Sequence, residues 1–330
     1  MNSINKPFLL KPAAKDYLWG GNRLNDDFGK EINVSPLAET WECSTHPDGL
    51  SFVGSGNYVN KTLKDVLKMH PEFLGSHAAN IADGKFPILI KFIDANSDLS
   101  VQVHPDDEYA LKNENSLGKT EMWYVLSARK DSQLVYGFKN DMDPEQVKKH
   151  IENNTIVEQL NTVSVEKDDV FMIEPGTVHA IGAGTLVAEI QENSNITYRL
   201  YDYNRIDKNG KQRELNIDKA LDVANLKSSI SPRQPMRTLK YRNGYASELL
   251  ARCRYFQVER VLLNTEINRN MCNFKTDSNS FHVLLCIEGC GNIFGEDTDI
   301  CFFKGDCIFV PAESIELKLH GKAQFLNVSC

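Results

Sequence analysis

A chain of 330 residues, 41% apolar and 25% charged, has the balance of a folded globular protein with room for one large domain or two of ordinary size. Its 37 basic and 45 acidic side chains leave a net charge of −8, which argues against a nucleic-acid-binding surface. No stretch approaches membrane-spanning length, the opening MNSINKPFLLKPAAKDYLWGG lacks the apolar core of a signal peptide, and the eight cysteines form no C-x-x-C pair. The expectation is a cytoplasmic protein with reduced thiols and neither membrane nor nucleic acid as a partner.

Most predicted elements are short strands separated by Gly, Pro, Asn and Asp. Residues 62–80, TLKDVLKMHPEFLGSHAAN, begin as a helix with Leu63, Val66 and Leu67 on one face. Strands follow at 86–94, 99–104 and 121–127. A second helix is expected over 144–153, with Asp143 as N-cap, Pro144 in the first position and Glu145 in the first turn. Further strands fall at 170–175 and 196–203, and a third helix at 217–226 carries Ile217, Leu221 and Ala224 on its apolar side. The chain then passes through SPRQP and becomes almost wholly strand-like, which places a domain boundary at 230/231. DDVFMIEPG (168–176) and GDCIFVPA (305–312) repeat one pattern, an acidic start and an apolar run ending in proline, as two related barrels would.

The chemistry concentrates in three segments. In LSVQVHPDDEYA (99–110), strand alternation puts Ser100, Gln102 and His104 on one face and Val101 and Val103 on the other; Pro105 ends the strand. GKTEMWYVLS (118–127) sets Lys119 and Glu121 on one face at the start of the next strand. EPGTVHAIGAG (174–184) presents His179 four residues after Pro175, on a turn that Gly176 allows. Gln102, His104, Glu121 and His179 together offer two imidazoles, a carboxylate and an amide oxygen. That set suits zinc, iron or manganese and disfavours calcium and magnesium; the absence of cysteine favours an open catalytic site over a closed structural one. Downstream, AEIQENSNITYRLYDYNR (188–205) carries a polar stripe at Glu189, Gln191, Asn193, Asn195, Thr197 and Arg199, which beside a metal barrel faces the lumen.

The order of a histidine, a glutamate and then P-G-x-x-H resembles the two metal motifs of the cupin superfamily. More narrowly, SVQVHPDD, GKTEMWYVL, EPGTVHAIGAGTLVAEIQ and YRLYDYNR resemble type I mannose-6-phosphate isomerases in their short bacterial form, with WGG (19–21) and ETWECSTHPDG (39–49) matching the N-terminal signature. The resemblance implies a mainly β fold of two cupin-like jelly-roll barrels with helical insertions. Residues 1–230 would form the catalytic zinc-binding unit and 231–330 a degenerate, metal-free one. It implies one Zn2+ per chain on His104, Glu121 and His179, with Gln102 as a further ligand, and interconversion of mannose 6-phosphate and fructose 6-phosphate through a cis-enediol. It makes Arg199 the active-site arginine and places Ser100, Lys119 and Arg205 at the substrate phosphate.

Other expectations accompany these. The base is open between water at the metal, a carboxylate near it, Lys119 and His46. Glu42 is read as structural, with the pocket mouth as its other place, and the 62–80 helix is set beside that mouth. In the C-terminal part only His282 stands at a ligand position and nothing like P-G-x-x-H follows Pro311. The sugar phosphate is the expected partner, with the chain a monomer or weak homodimer. An iron-dependent cupin dioxygenase and a non-catalytic sugar-phosphate-binding cupin are the rival readings.

Overall fold

The computed structural model describes residues 5–206, 210–230, 232, 234–266 and 270–330. Ser231 and Arg233, in the stretch read as a domain boundary, lie outside the described residues. The fold is mainly β: two cupin-like barrels of antiparallel sheet with short helices inserted. Among the described residues no helix is long and apolar enough to cross a membrane, and all eight cysteines are free thiols.

The middle layer is a six-stranded sheet in the order Val170–Ile173, Glu121–Ala128, Thr185–Glu192, Ile88–Ala95, Glu39–Cys43, Ala13–Lys15. Its two central strands, Ile88–Ala95 and Thr185–Glu192, are buried at every residue. With both faces buried, the apolar residues of ILIKFIDA and TLVAEIQE join the core and their charged residues need partners. The period of two survives in what each side chain touches. Ile88, Ile90, Phe92, Met122, Tyr124, Ala188 and Ile190 pack towards the C-terminal part, against Phe281, Val283, Phe309 and Leu326. Ile93, Trp123, Val125 and Val187 turn the other way and pack with Leu99, Leu134 and Ile181. Lys91 and Glu189 share that second face, where the site lies.

Opposite stands a five-stranded sheet ordered Tyr198–Tyr201, Val101–Val103, His179–Ile181, Gln133–Phe138, Leu160–Ser164. Val101 and Val103 point away from the lumen into a cluster with Val147, Ile151 and Ala220, which the helices Pro144–Glu152 and Ile217–Val223 supply. The first of these helices has the anticipated Asp143 cap, completed as a capping box by Gln146. Outward valines leave Ser100, Gln102 and His104 facing the interior.

The C-terminal residues build a ten-stranded sheet around the long antiparallel pair His282–Gly295 and Leu317–Ser329, with a core of its own that includes Ile293, Phe302, Ile308 and Phe325. Sheet membership is not divided at residue 230. The strands Phe8–Lys11 and Phe52–Val53 join this C-terminal sheet, Phe8 lying in register with Phe309 and stacked on it at 5.2 Å. An apolar strand from the start of the chain thus covers what would be an open edge.

The 62–80 segment differs from expectation in form and in place. It is a helix over Leu63–Met69 capped by Thr62, a 3-10 turn over Pro71–Leu74 and a further helix over Ser76–Ile81, broken where Pro71 and the positive φ of Gly75 interrupt the ladder. Leu63, Val66, Phe73 and Leu74 are buried against the C-terminal sheet, and Phe281 N–H donates to the Leu74 carbonyl at 3.0 Å. The segment therefore belongs to the junction between the barrels and not to the pocket mouth. An amphipathic stripe shows that one face is buried; it does not name what buries it.

Candidate active site

The short strand Val101–Val103 runs between two others, with Gln102 paired to His179 on one side and to Arg199 on the other. Glu121 opens its strand in register with Ile173 and Gln191. Pairing in this register brings together residues far apart in sequence. His104 Nε2 lies 3.3 Å from Glu121 Oε1, His179 Nε2 lies 3.7 Å from Glu121 Oε2, and the Gln102 side-chain nitrogen is 3.4 Å from His179 Nε2. His104, Glu121 and His179 are 1%, 0% and 0% exposed, and their potential ligand atoms all lie within 4.8 Å of one another.

The donor set fits a metal. His179 Nδ1 donates to the Thr177 carbonyl at 2.8 Å, which leaves the lone pair on Nε2, the nitrogen turned towards Glu121. Burial lowers the pKa of both imidazoles, that of His104 to about 3 with Lys119 adding to the effect, so both are neutral. Burial would raise Glu121, but Lys119 and then His104 overcome it and hold the carboxyl well below its usual range. Lys119 Nζ sits 2.6 Å from Glu121 Oε1. Glu121 Oε2 and His104 Nδ1 are fully buried without a hydrogen bond, the mark of a cluster that has something else to hold. Two neutral imidazoles and one carboxylate can bind a divalent ion of the zinc, iron and manganese group.

Beside the cluster opens a cavity of about 330 Å³. Gln102 and Lys119 form its inner wall, while His104, Glu121 and His179 lie behind them. Arg199 lines it as expected; its Nε donates to Ser100 Oγ at 3.2 Å and its Nη1 to the Glu214 carbonyl at 2.9 Å. Ser100 also lines it, so the inward face of the 99–104 strand is assembled as read.

Arg205 is placed differently. It does not line the cavity: its guanidinium is bound to Asp202 and to the Asp98 carbonyl and stacks over Tyr203, 5.2 Å from the ring. Glu42 is structural, fully buried in an ion pair with Lys30 at 2.7 Å. His46 stands outside the cavity lining, edge-on to Trp41 at 5.9 Å and beside Asp48.

Sequence reading placed Glu189 in the lumen-facing stripe and overlooked Lys91, Glu39 and Arg213; all four line the cavity. Lys91 and Glu189 face each other across adjacent strands at 2.8 Å; Trp123 donates to Glu189 at 3.0 Å and Trp41 to Glu39 at 2.7 Å. Burial raises the Glu39 pKa. For Lys91 burial acts downward, but Glu189 and then Glu39 outweigh it and raise the pKa. The available signal was a lysine in the middle of the buried run ILIKFIDA, since a charge on a fully buried strand must be paired and is a functional candidate.

In the second barrel His282 hydrogen-bonds Asn327 at 2.8 Å and meets Phe274 edge-on, with no further ligand set among the described residues. His282→Ala should therefore leave metal content and turnover close to wild type. Loss of stoichiometric metal in that variant would show that the second barrel carries a site.

Two antiparallel barrels, one enclosing a two-histidine, one-glutamate cluster beneath a charged cavity, define a cupin enzyme with a candidate metal centre. Residues 8–153 match the family described as phosphomannose isomerase type I, catalytic domain, and residues 247–330 match mannose-6-phosphate isomerase, cupin domain. The chain is 37% identical to the Bacillus subtilis mannose-6-phosphate isomerase ManA over 320 residues, 97% of each chain. It belongs to the mannose-6-phosphate isomerase family and is an aldose–ketose isomerase. The crystal structure of the mannose 6-phosphate isomerase from Bacillus subtilis superposes with a TM-score of 0.88 at 32% identity, covering 98% of this chain and 99% of that one. A putative mannosephosphate isomerase from Archaeoglobus fulgidus shares the fold, with a TM-score of 0.74 at 22% identity over 99% of both chains.

Proposed function

We propose that this enzyme interconverts D-mannose 6-phosphate and D-fructose 6-phosphate through a cis-enediol, with one zinc held by His104, Glu121, His179 and Gln102. The observation that supports it most is the buried His104–Glu121–His179 cluster, whose Glu121 oxygens lack hydrogen bonds, beside a cavity lined by Gln102 and Lys119. When bound, zinc supplies a Lewis acid for the sugar carbonyl. The remaining work falls to the chain. Arg199 steadies the negative charge that develops on the substrate oxygen. Ser100 and Lys119 bind and orient the substrate from the cavity wall. Moving a proton between C1 and C2 requires a group that can take and return it. The cavity offers the carboxylates of Glu189 and Glu39 beside Lys119, whereas Lys91 is held protonated by those carboxylates and His46 is not part of the lining. The division of labour we propose is a catalytic unit over 1–230 and a metal-free unit over 231–330 that buttresses it.

A coupled assay for fructose 6-phosphate formed from mannose 6-phosphate, with oxygen uptake recorded in parallel, tests the reading. Turnover without oxygen consumption is expected. Oxygen uptake without ketose would favour the dioxygenase, and binding without turnover the non-catalytic cupin.

A further inference from the structure

Three guanidinium groups, those of Arg199, Arg205 and Arg213, gather near the single carboxylate of Asp202 at one end of the cavity. They are not equivalent. Arg205 spends all its nitrogens on protein: Nε on Asp202, Nη1 on the Asp98 carbonyl and Nη2 on Asp202 Oδ1. Arg213 docks on the same carboxylate by one edge alone, Nε to Oδ2 at 2.7 Å and Nη2 to Oδ1, so its described contacts leave Nη1 uncommitted. Its side chain is 26% exposed and lines the cavity together with Arg199, Ser100 and Tyr17.

We infer that Arg213, positioned by Asp202, is a specificity-determining residue that takes the phosphate of the sugar phosphate; this rests on the isomerase reading above. The charge balance of the cavity supports it. Lys91 is matched by Glu189 with Glu39 close by, and Lys119 by Glu121; the three guanidiniums around the one carboxylate of Asp202 therefore hold the local excess of positive charge. Burial lowers the Arg199 pKa and the neighbouring Arg213 lowers it further, which is like-charge repulsion within the cavity wall. A phosphate dianion relieves that repulsion, and a neutral hexose does not. The edge-on hold of Asp202 presents a planar guanidinium whose remaining N–H groups match phosphate oxygens in a way a lysine cannot reproduce.

The test uses full-length, metal-replete protein. Arg213→Ala, Arg213→Lys and the wild type are compared in mannose 6-phosphate kinetics and in calorimetric titration with inorganic phosphate. Losing one charge-assisted phosphate contact should raise KM and the phosphate Kd by roughly 10- to 100-fold in Arg213→Ala. Because the phosphate is remote from the reacting carbons, kcat should stay within about threefold. Arg213→Lys should recover only part of the affinity. Should Arg213→Ala fail to fold, Arg213→Gln removes the charge and keeps a polar end towards Asp202. Unchanged phosphate affinity in a folded variant overturns the inference, as does a fall in kcat alone. If the wild type does not turn over mannose 6-phosphate, the isomerase reading fails, while the phosphate titration still decides the role of Arg213.

Discussion

Stripping the metal from the purified enzyme should abolish isomerase activity, and one equivalent of zinc per chain should restore it. The expected loss is roughly three to five powers of ten, the range that several kcal/mol of lost Lewis-acid stabilisation implies. The stoichiometry follows from the described residues, in which His104, Glu121 and His179 are the one buried group of this composition. Their protonation states are already those of ligands, two neutral imidazoles and an ionised carboxylate, so binding needs little proton release. His179→Ala should lose both metal and turnover. Gln102→Ala should weaken metal retention less, since its side chain approaches His179 from the cavity side. Elemental analysis of wild type and variants, read beside activity, decides the matter. Two equivalents of metal, or full activity in metal-free protein, would sink the assignment.

The parts of this site legible in the sequence are those where local rules and chemistry coincide. Alternation along LSVQVH sorted Ser100, Gln102 and His104 from Val101 and Val103 because one face of that strand packs on helices and the other faces a lumen. The Asp143 cap and the proline after it were legible for the same reason, each being settled within one turn. Lys91 was harder, although it sits in the same sheet as Glu121. Its strand is buried on both faces and carries no polar stripe like the one that marked Glu189, so its pairing with Glu189 appears only in the register of Ile88–Ala95 against Thr185–Glu192. Arg205 and Arg213 show a different limit. Both follow the strand that carries Arg199, and nothing local separates them; only the three-dimensional contacts show that Asp202 and Asp98 consume one and leave the other open to the cavity. The N-terminal strand in the C-terminal sheet is likewise a long-range pairing that no local pattern announces.

Arg199→Ala should keep its full complement of metal and lose roughly two to three powers of ten in kcat. A guanidinium is always charged and has no lone pair to offer, so it cannot be a ligand, and the nearest ligand-set neighbour, Gln102, is held by its own strand pairing with His179. The side chain is anchored at two points, Ser100 Oγ through Nε and the Glu214 carbonyl through Nη1, which fixes the plane of the guanidinium and leaves Nη2 for the substrate. A rigid donor aimed at the oxygen where charge develops acts chiefly in the transition state, so the loss falls on kcat. If Arg199 gripped only the phosphate, ground and transition states would lose the same contact and KM would rise instead, the signature assigned above to Arg213. Arg199→Lys should rescue little, because an ammonium cannot keep both anchors and still present a planar donor. Steady-state kinetics of the Arg199 and Arg213 variants on one substrate, each with its zinc content measured, therefore separate the two roles on orthogonal axes. Wild-type kcat in metal-replete Arg199→Ala protein would refute the catalytic role outright.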